Sequence, residues 1–262
     1  MEKELLKHIE ILKKHVFQVS TKWPQFNLLL NDIEKFYKNS KASSTIVSLE
    51  RNLLYGGNSL IAPIFYKHKY ISVDCSPSSA DKRGAYNKKM IDYNDFIKVP
   101  SSLRCDLNDI NLDNNIADLL LVPNLVHHIA DQQGLFKEVN RILKIGASLY
   151  VFEPLVREIH QDPDDFIRYT PSGLKNVLEK LGFHVEDTKL EGGPFQVISY
   201  CWQQALEYLP EDKRVSLTKW FEEEHFHYLL ELDNKYKNNL IRNNTSFPAA
   251  FSVTAKKIKS VL

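Results

Sequence analysis

From residue 45 onward, short apolar runs alternate with helical stripes, and this alternation most narrows what the chain can become. Residues 45–49, 69–74, 102–105, 117–122, 148–153 and 183–189 read as strands, and 251–256 as a seventh. Between the fourth and fifth, Leu135, Val139, Ile142 and Leu143 form a helical stripe that Gly146 is expected to stop. Thr170-Pro171 opens another helix, carrying Leu174, Val177, Leu178 and Leu181 up to Gly182, with threonine as cap and proline at the first helical position. Near-continuous hydrophobic strands separated by helices predict a mainly parallel sheet covered on both faces, a doubly wound α/β fold. Two amphipathic helices precede it. Leu5, Ile9, Leu12 and Val16 stripe the first, Trp23-Pro24 breaks it, and residues 26–37 carry the second. The expected division is a helical extension or lid at 1–44, joined by a polar linker to an α/β domain at 45–262. That domain carries a helical insertion at 195–244.

Charge excludes several partner classes. Thirty-four basic and thirty-three acidic side chains leave a net charge of +1, so no field favours nucleic acid or an anionic membrane. Apolar runs such as 116–122 fall far short of the roughly 20 residues of a membrane-spanning helix. Three widely spaced cysteines suggest neither disulfides nor a zinc cluster, and the expected location is cytoplasmic. The nine glycines matter more. They are about half the usual share of roughly 7%. Nucleotide-binding α/β folds spend glycine on tight cofactor loops, and this chain has few to spend.

The run DINLDNNIADLLLVPNLVHHIADQQGLFKEVNRILKIGASLYVFEP and the later DDFIRYTPSGLKNVLEKLGFHVED resemble the central and following blocks of class I S-adenosylmethionine-dependent methyltransferases. The resembling fragments are an acidic turn, a strand opening on aspartate, a histidine-bearing loop, R-x-L-K-x-G, a strand ending in E-P, and R-Y-T leading to G-F-x-V. Together they span about 45–191. The resemblance implies a Rossmann-like seven-stranded sheet whose last strand, 251–256, lies antiparallel beside 183–189.

It also implies a site. Asp74, ending the second strand, would hold the ribose hydroxyls, Asp106 and Leu107 would meet the adenine, and Asn124 would complete the cofactor set. His127 or His128 would stand near a methyl acceptor, where a neutral imidazole can take a proton. Arg168 and Tyr169 would contact the acceptor. The family's first motif, acid-x-Gly-x-Gly-x-Gly, corresponds to Glu50-Arg51-Asn52-Leu53-Leu54-Tyr55-Gly56. Glu50 and Gly56 match, whereas Asn52 and Leu54 replace the first two glycines. Leucine there would intrude on the cofactor or force a different turn.

The bland readings stand beside these. Asp74 can cap its own turn, one histidine can pack while the other caps a helix, and His160, Asp162, Asp164 and Asp165 read as a solvated loop rather than a metal site. The aromatic group Phe195, Tyr200, Trp202, Tyr208, Trp220 and Phe221 is either core or a pocket wall. Two functions follow: methyl transfer from S-adenosylmethionine to a small molecule or sugar of a biosynthetic pathway, or a fold that has lost its cofactor and serves as a binding or scaffolding partner.

Overall fold

The architecture is that of a computed structural model, which describes residues 2–20, 23–76, 97–105, 110–159, 163–236 and 247–261. Its sheet has seven strands: β1 (Thr45–Glu50), β2 (Lys69–Asp74), β3 (Leu103–Arg104), β4 (Ala117–Pro123), β5 (Leu143–Pro154), β6 (Phe183–Glu191) and β7 (Ala250–Lys257). They lie in the order β3-β2-β1-β4-β5-β7-β6, with only β7 antiparallel to its neighbours. Helices α1 (Glu2–Ile11) and α2 (Phe26–Asn39) precede the sheet. Then come α3 (Gln132–Ile142), α4 (Pro171–Lys180), α5 (Pro194–Leu206), α6 (Glu211–Phe221) and α7 (His227–Lys235).

Local chemistry fixes the boundaries. Asp131 caps α3 by accepting from the Gly134 N–H, and Thr170 caps α4 by accepting from that of Gly173. Helix α3 stops at Ile142 rather than at Gly146. Gly146, at φ +81°, lies inside β5 where the β4–β5 register shifts, so it serves a strand irregularity and not a helix end. Gly182 does follow α4 as expected. Its φ is +84°, and a Cβ would stand 2.5 Å from the Lys259 carbonyl oxygen.

Two apolar layers sandwich the sheet. On one face Val47, Leu49, Val73 and Leu120 pack with Phe136 and Val139 of α3 and with Leu174 and Leu178 of α4. On the other, Ile46, Leu121, Tyr150 and Phe152 pack with Leu12, Phe26, Leu29 and Ile33. The N-terminal helices thus cover a sheet face instead of standing over its carboxyl edge, the position the sequence suggests for a lid. The reason is the breadth of their apolar stripes, which only a whole sheet face can bury. Asp32 of α2 locks the arrangement, its buried carboxylate accepting from Tyr150 Oη, Ser252 Oγ and Lys189 Nζ. Trp23, just before α2, comes toward the carboxyl end of β5 through Phe26. There, Phe26 packs its ring on Phe152 at 5.5 Å and Trp23 packs on Phe26.

Helix α1 carries a titratable anchor. His8 is buried, with Nε2 2.9 Å from the Leu60 carbonyl oxygen and Nδ1 accepting from the Ile97 N–H at 3.3 Å. One ring nitrogen donates and the other accepts, so the contacts need the neutral imidazole. Burial holds its pKa below the ordinary histidine value. The folded-state pKa is depressed, so the stabilisation is full above about pH 6.5 and is lost as pH falls through that value. The melting temperature is therefore expected to fall between pH 7 and 5, with amides of residues 4–12 losing hydrogen-exchange protection first. His8→Gln should flatten that part of the profile, and an unchanged slope in that variant would exclude His8 as the cause.

Candidate functional site

The chain adds strands outward from β1 to β3 and then returns to the other side of β1 with β4. The crevice therefore opens beyond the carboxyl ends of β1 and β4, where strand order reverses. Glu50 and Asp74 close β1 and β2 as register partners, so the two acids implied by the resemblance stand side by side. Burial raises the Glu50 carboxyl pKa, and Tyr70 Oη donates to its Oε1 at 2.5 Å.

The altered loop is a single 3-10 turn, Asn52–Tyr55, closed by Gly56 at φ +65°. Among the described residues, positive φ outside glycine occurs only at Gln18, Asn115 and Asn124. Asn52 and Leu54 therefore have no need of glycine's freedom: the sequence has substituted a helical turn for a glycine-type one. That turn is held from inside. Asp74 Oδ1 accepts from the Asn52 N–H at 3.0 Å, the Ser76 N–H at 3.0 Å and Ser76 Oγ at 2.5 Å. Ser76 Oγ also accepts from the Leu53 N–H, and Asn52 Nδ2 donates to Ser101 Oγ. Asp74, 2% exposed, thus caps this turn, and all three described hydrogen bonds reach its Oδ1. Asp106 and Leu107 lie outside the described residues.

Beyond β4, Asn124 adopts φ +58° and its N–H donates to the Phe152 carbonyl oxygen. Its Oδ1 is buried with no hydrogen-bond partner. An unmet acceptor at this depth is costly and calls for a donor from a ligand. At the end of the altered turn, a Cβ at Gly57 would meet nothing within 4 Å. An unmet acceptor at Asn124 and a buried carboxylate at Asp74 are donor-seeking groups of the kind an adenosyl amino acid could meet.

His127 and His128 occupy a short turn after β4, with ring centroids 3.9 Å apart. A residue with no role assigned from the sequence organises that turn. Glu153, from the E-P end of β5, accepts from the Leu125 and Val126 N–H groups through Oε1 and from the His127 N–H through Oε2. Its Oε2 also stands 2.6 Å from His127 Nδ1. His128 Nδ1 lies 2.5 Å from the Asp164 carbonyl oxygen. The imidazoles are 1% and 5% exposed, so both are built into the floor of the site.

Arg168 is similarly committed. Its guanidinium meets both Asp165 oxygens at 2.5 and 2.8 Å and the carbonyl oxygens of Glu158 and Ile167. Tyr169 is half-buried against the α3–α4 side of the core. Sequence alone gives Trp23, Arg157 and Glu158 no place in the site and leaves Tyr200 between core and pocket. Arg157 lies over the Trp23 ring at 5.8 Å and 4.0 Å from the Glu158 carboxylate, to which Tyr200 Oη donates. No regular spacing marks these residues. Trp23-Pro24 and the aromatic run were the only signals.

A family model described as a methyltransferase domain matches residues 55–151. The match starts at Tyr55, so β1 and most of the altered turn lie outside it. The [4+2]-cyclase SpnF superposes with a TM-score of 0.52 at 14% identity, covering 90% of this chain and 83% of that one. A candidate sarcosine dimethylglycine methyltransferase from Galdieria sulphuraria gives 0.51 at 12% identity, covering 97% and 99%. No curated protein matches the chain.

Proposed function

We propose that this chain, which belongs to the class I S-adenosylmethionine-dependent methyltransferase superfamily, transfers a methyl group to a small molecule or sugar. The observation that carries the reading is the buried, unpartnered Oδ1 of Asn124 beside the paired acids of β1 and β2. Bound there, the cofactor would supply an electrophilic methyl group. Glu50, Asn52, Gly56, Asp74 and Asn124 would hold it, with Asp106 and Leu107 on its adenine side. His127 or His128 would accept the acceptor's proton. Glu153 orients His127 by taking its Nδ1 and its N–H together. Arg168 and Tyr169 would bound the acceptor, with Arg168 anchored on Asp165 and the Glu158 carbonyl.

The fold does not decide this alone, because a [4+2]-cyclase shares it. A specific observation favours the other reading, a fold without cofactor that acts as a binding partner. Asp74 Oδ1 already accepts from the Asn52 and Ser76 N–H groups, and Ser76 Oγ accepts from the Leu53 N–H. Isothermal titration with S-adenosylmethionine and S-adenosylhomocysteine separates the two. Asn124→Gly keeps the positive φ while deleting the acceptor. It is expected to weaken binding at least about tenfold, as suits a lost hydrogen bond to a charged donor. Unchanged affinity in that variant would remove Asn124 from the site.

A further inference from the structure

Arg157 is held where three strands meet the crevice. The Leu155 and Val156 N–H groups both donate to the Ala249 carbonyl oxygen, and the Ala249 N–H donates to that of Glu191. The chain therefore turns immediately after β5, beside the start of β7 and the end of β6. The Arg157 side chain is only 11% exposed. Its guanidinium has no hydrogen bond among the described residues, and its Nε is fully buried without one. Its contacts are the Trp23 ring below it and Glu158 at the 4.0 Å limit of an ion pair. Arg168, eleven positions later, has acceptors from Asp165, Glu158 and Ile167. The contrast matters because a guanidinium carries five N–H donors and keeps its charge at every working pH, and this one is largely covered. Left without acceptors such a group is costly, and a ligand's oxygens would complete it.

A second unmet donor points to the same wall. Gln196 is buried, its Nε2 has no partner, and it lies one helical turn before Tyr200 on α5. Tyr200 faces the arginine's neighbour, donating to Glu158. Burial raises the phenol's pKa, so it remains a donor.

We infer that Arg157, floored by Trp23 and edged by Gln196 and Tyr200, forms a binding site for a ligand carboxylate. Trp23 covers a face of the guanidinium and leaves its edge, the part that forks onto two oxygens. Glu158 selects for charge: a phosphate dianion would meet about twice the repulsion that a carboxylate meets. The carboxylate belongs either to the methyl acceptor or to the methionine half of the cofactor. The second source rests on the methyltransferase reading, whereas the first does not.

The experiment compares wild type with Arg157→Gln, using titration of S-adenosylmethionine and its decarboxylated analogue and thermal shift with benzoate and benzamide. Because the guanidinium makes no hydrogen bond among the described residues, the variant is expected to melt no lower than wild type. If wild type prefers S-adenosylmethionine to the decarboxylated form at least about tenfold and the variant does not, the site takes the cofactor's carboxylate. If the two adenosyl compounds bind alike while benzoate stabilises wild type only, and benzamide neither, the site takes an acceptor's. Equal carboxylate binding by both proteins, or none by either, overturns the proposal. Should wild type bind neither adenosyl compound, the methyltransferase reading falls and the benzoate arm alone decides. If the glutamine variant does not fold, Arg157→Lys, which keeps the charge without the fork, is read in the same way.

Discussion

Glu153→Ala is expected to be the most destabilising single substitution in the site, costing roughly 3–5 kcal/mol. The carboxylate is 3% exposed and serves the N–H groups of Leu125, Val126 and His127 as well as the His127 ring. Truncation leaves three backbone donors unpaired at the carboxyl end of β4, each costing about 1–3 kcal/mol, and partial relaxation keeps the total below their sum. At roughly 2–4 °C per kcal/mol for a chain of this size, melting should fall by about 6–20 °C. Glu153→Gln keeps one acceptor oxygen but offers its amide to donors on the other side, so an intermediate loss is expected. Denaturant melts of the three proteins check this, and an alanine variant within about 1 kcal/mol of wild type would mean that water replaces the carboxylate.

Where the information was local, the sequence was easy to read. The central strands β1 and β4 announce themselves because both faces of a parallel sheet are buried, which writes them as nearly continuous apolar runs. Thr170-Pro171 and Gly182 could be read because capping acts within one turn. What could not be read was pairing across the chain. Nothing in the spacing joins Glu153 to the turn at Leu125–His127, or Arg157 to Trp23. Such contacts arise only once β4 and β5 lie adjacent and α2 has docked. The destination of α1 and α2 was hidden for a related reason: an amphipathic stripe states that a partner exists but not which surface it is. The loop at Asn52–Tyr55 is subtler. Two missing glycines correctly signalled a different turn, but the 3-10 geometry depends on Asp74 and Ser76 supplying acceptors from the end of the next strand.

That dependence sets the expected behaviour of Asp74, whose removal would leave the fold untouched if ribose binding were its only task. The structure gives the carboxylate two tasks, and two substitutions separate them. Asp74→Asn can keep Oδ1 on the Asn52 and Ser76 donors while replacing the other oxygen with an amide nitrogen. It should melt within about 1 kcal/mol of wild type, yet bind S-adenosylmethionine at least about tenfold more weakly, because a charged acceptor for the ribose hydroxyls is gone. Asp74→Ala should also lose three internal hydrogen bonds, at about 1 kcal/mol each, and show both weak binding and a lowered melt. Equal affinity in wild type and Asp74→Asn would assign the residue to the turn alone. Restoring glycine at Asn52 and Leu54 is then expected to loosen a helical turn by up to about 1 kcal/mol per site, because neither residue adopts the backbone that only glycine favours. A gain in affinity from those glycines, in a protein whose wild type binds neither cofactor nor product at millimolar concentration, would identify the 3-10 turn as the element that closed an ancestral cofactor site. The binding-partner reading would then stand in place of methyl transfer.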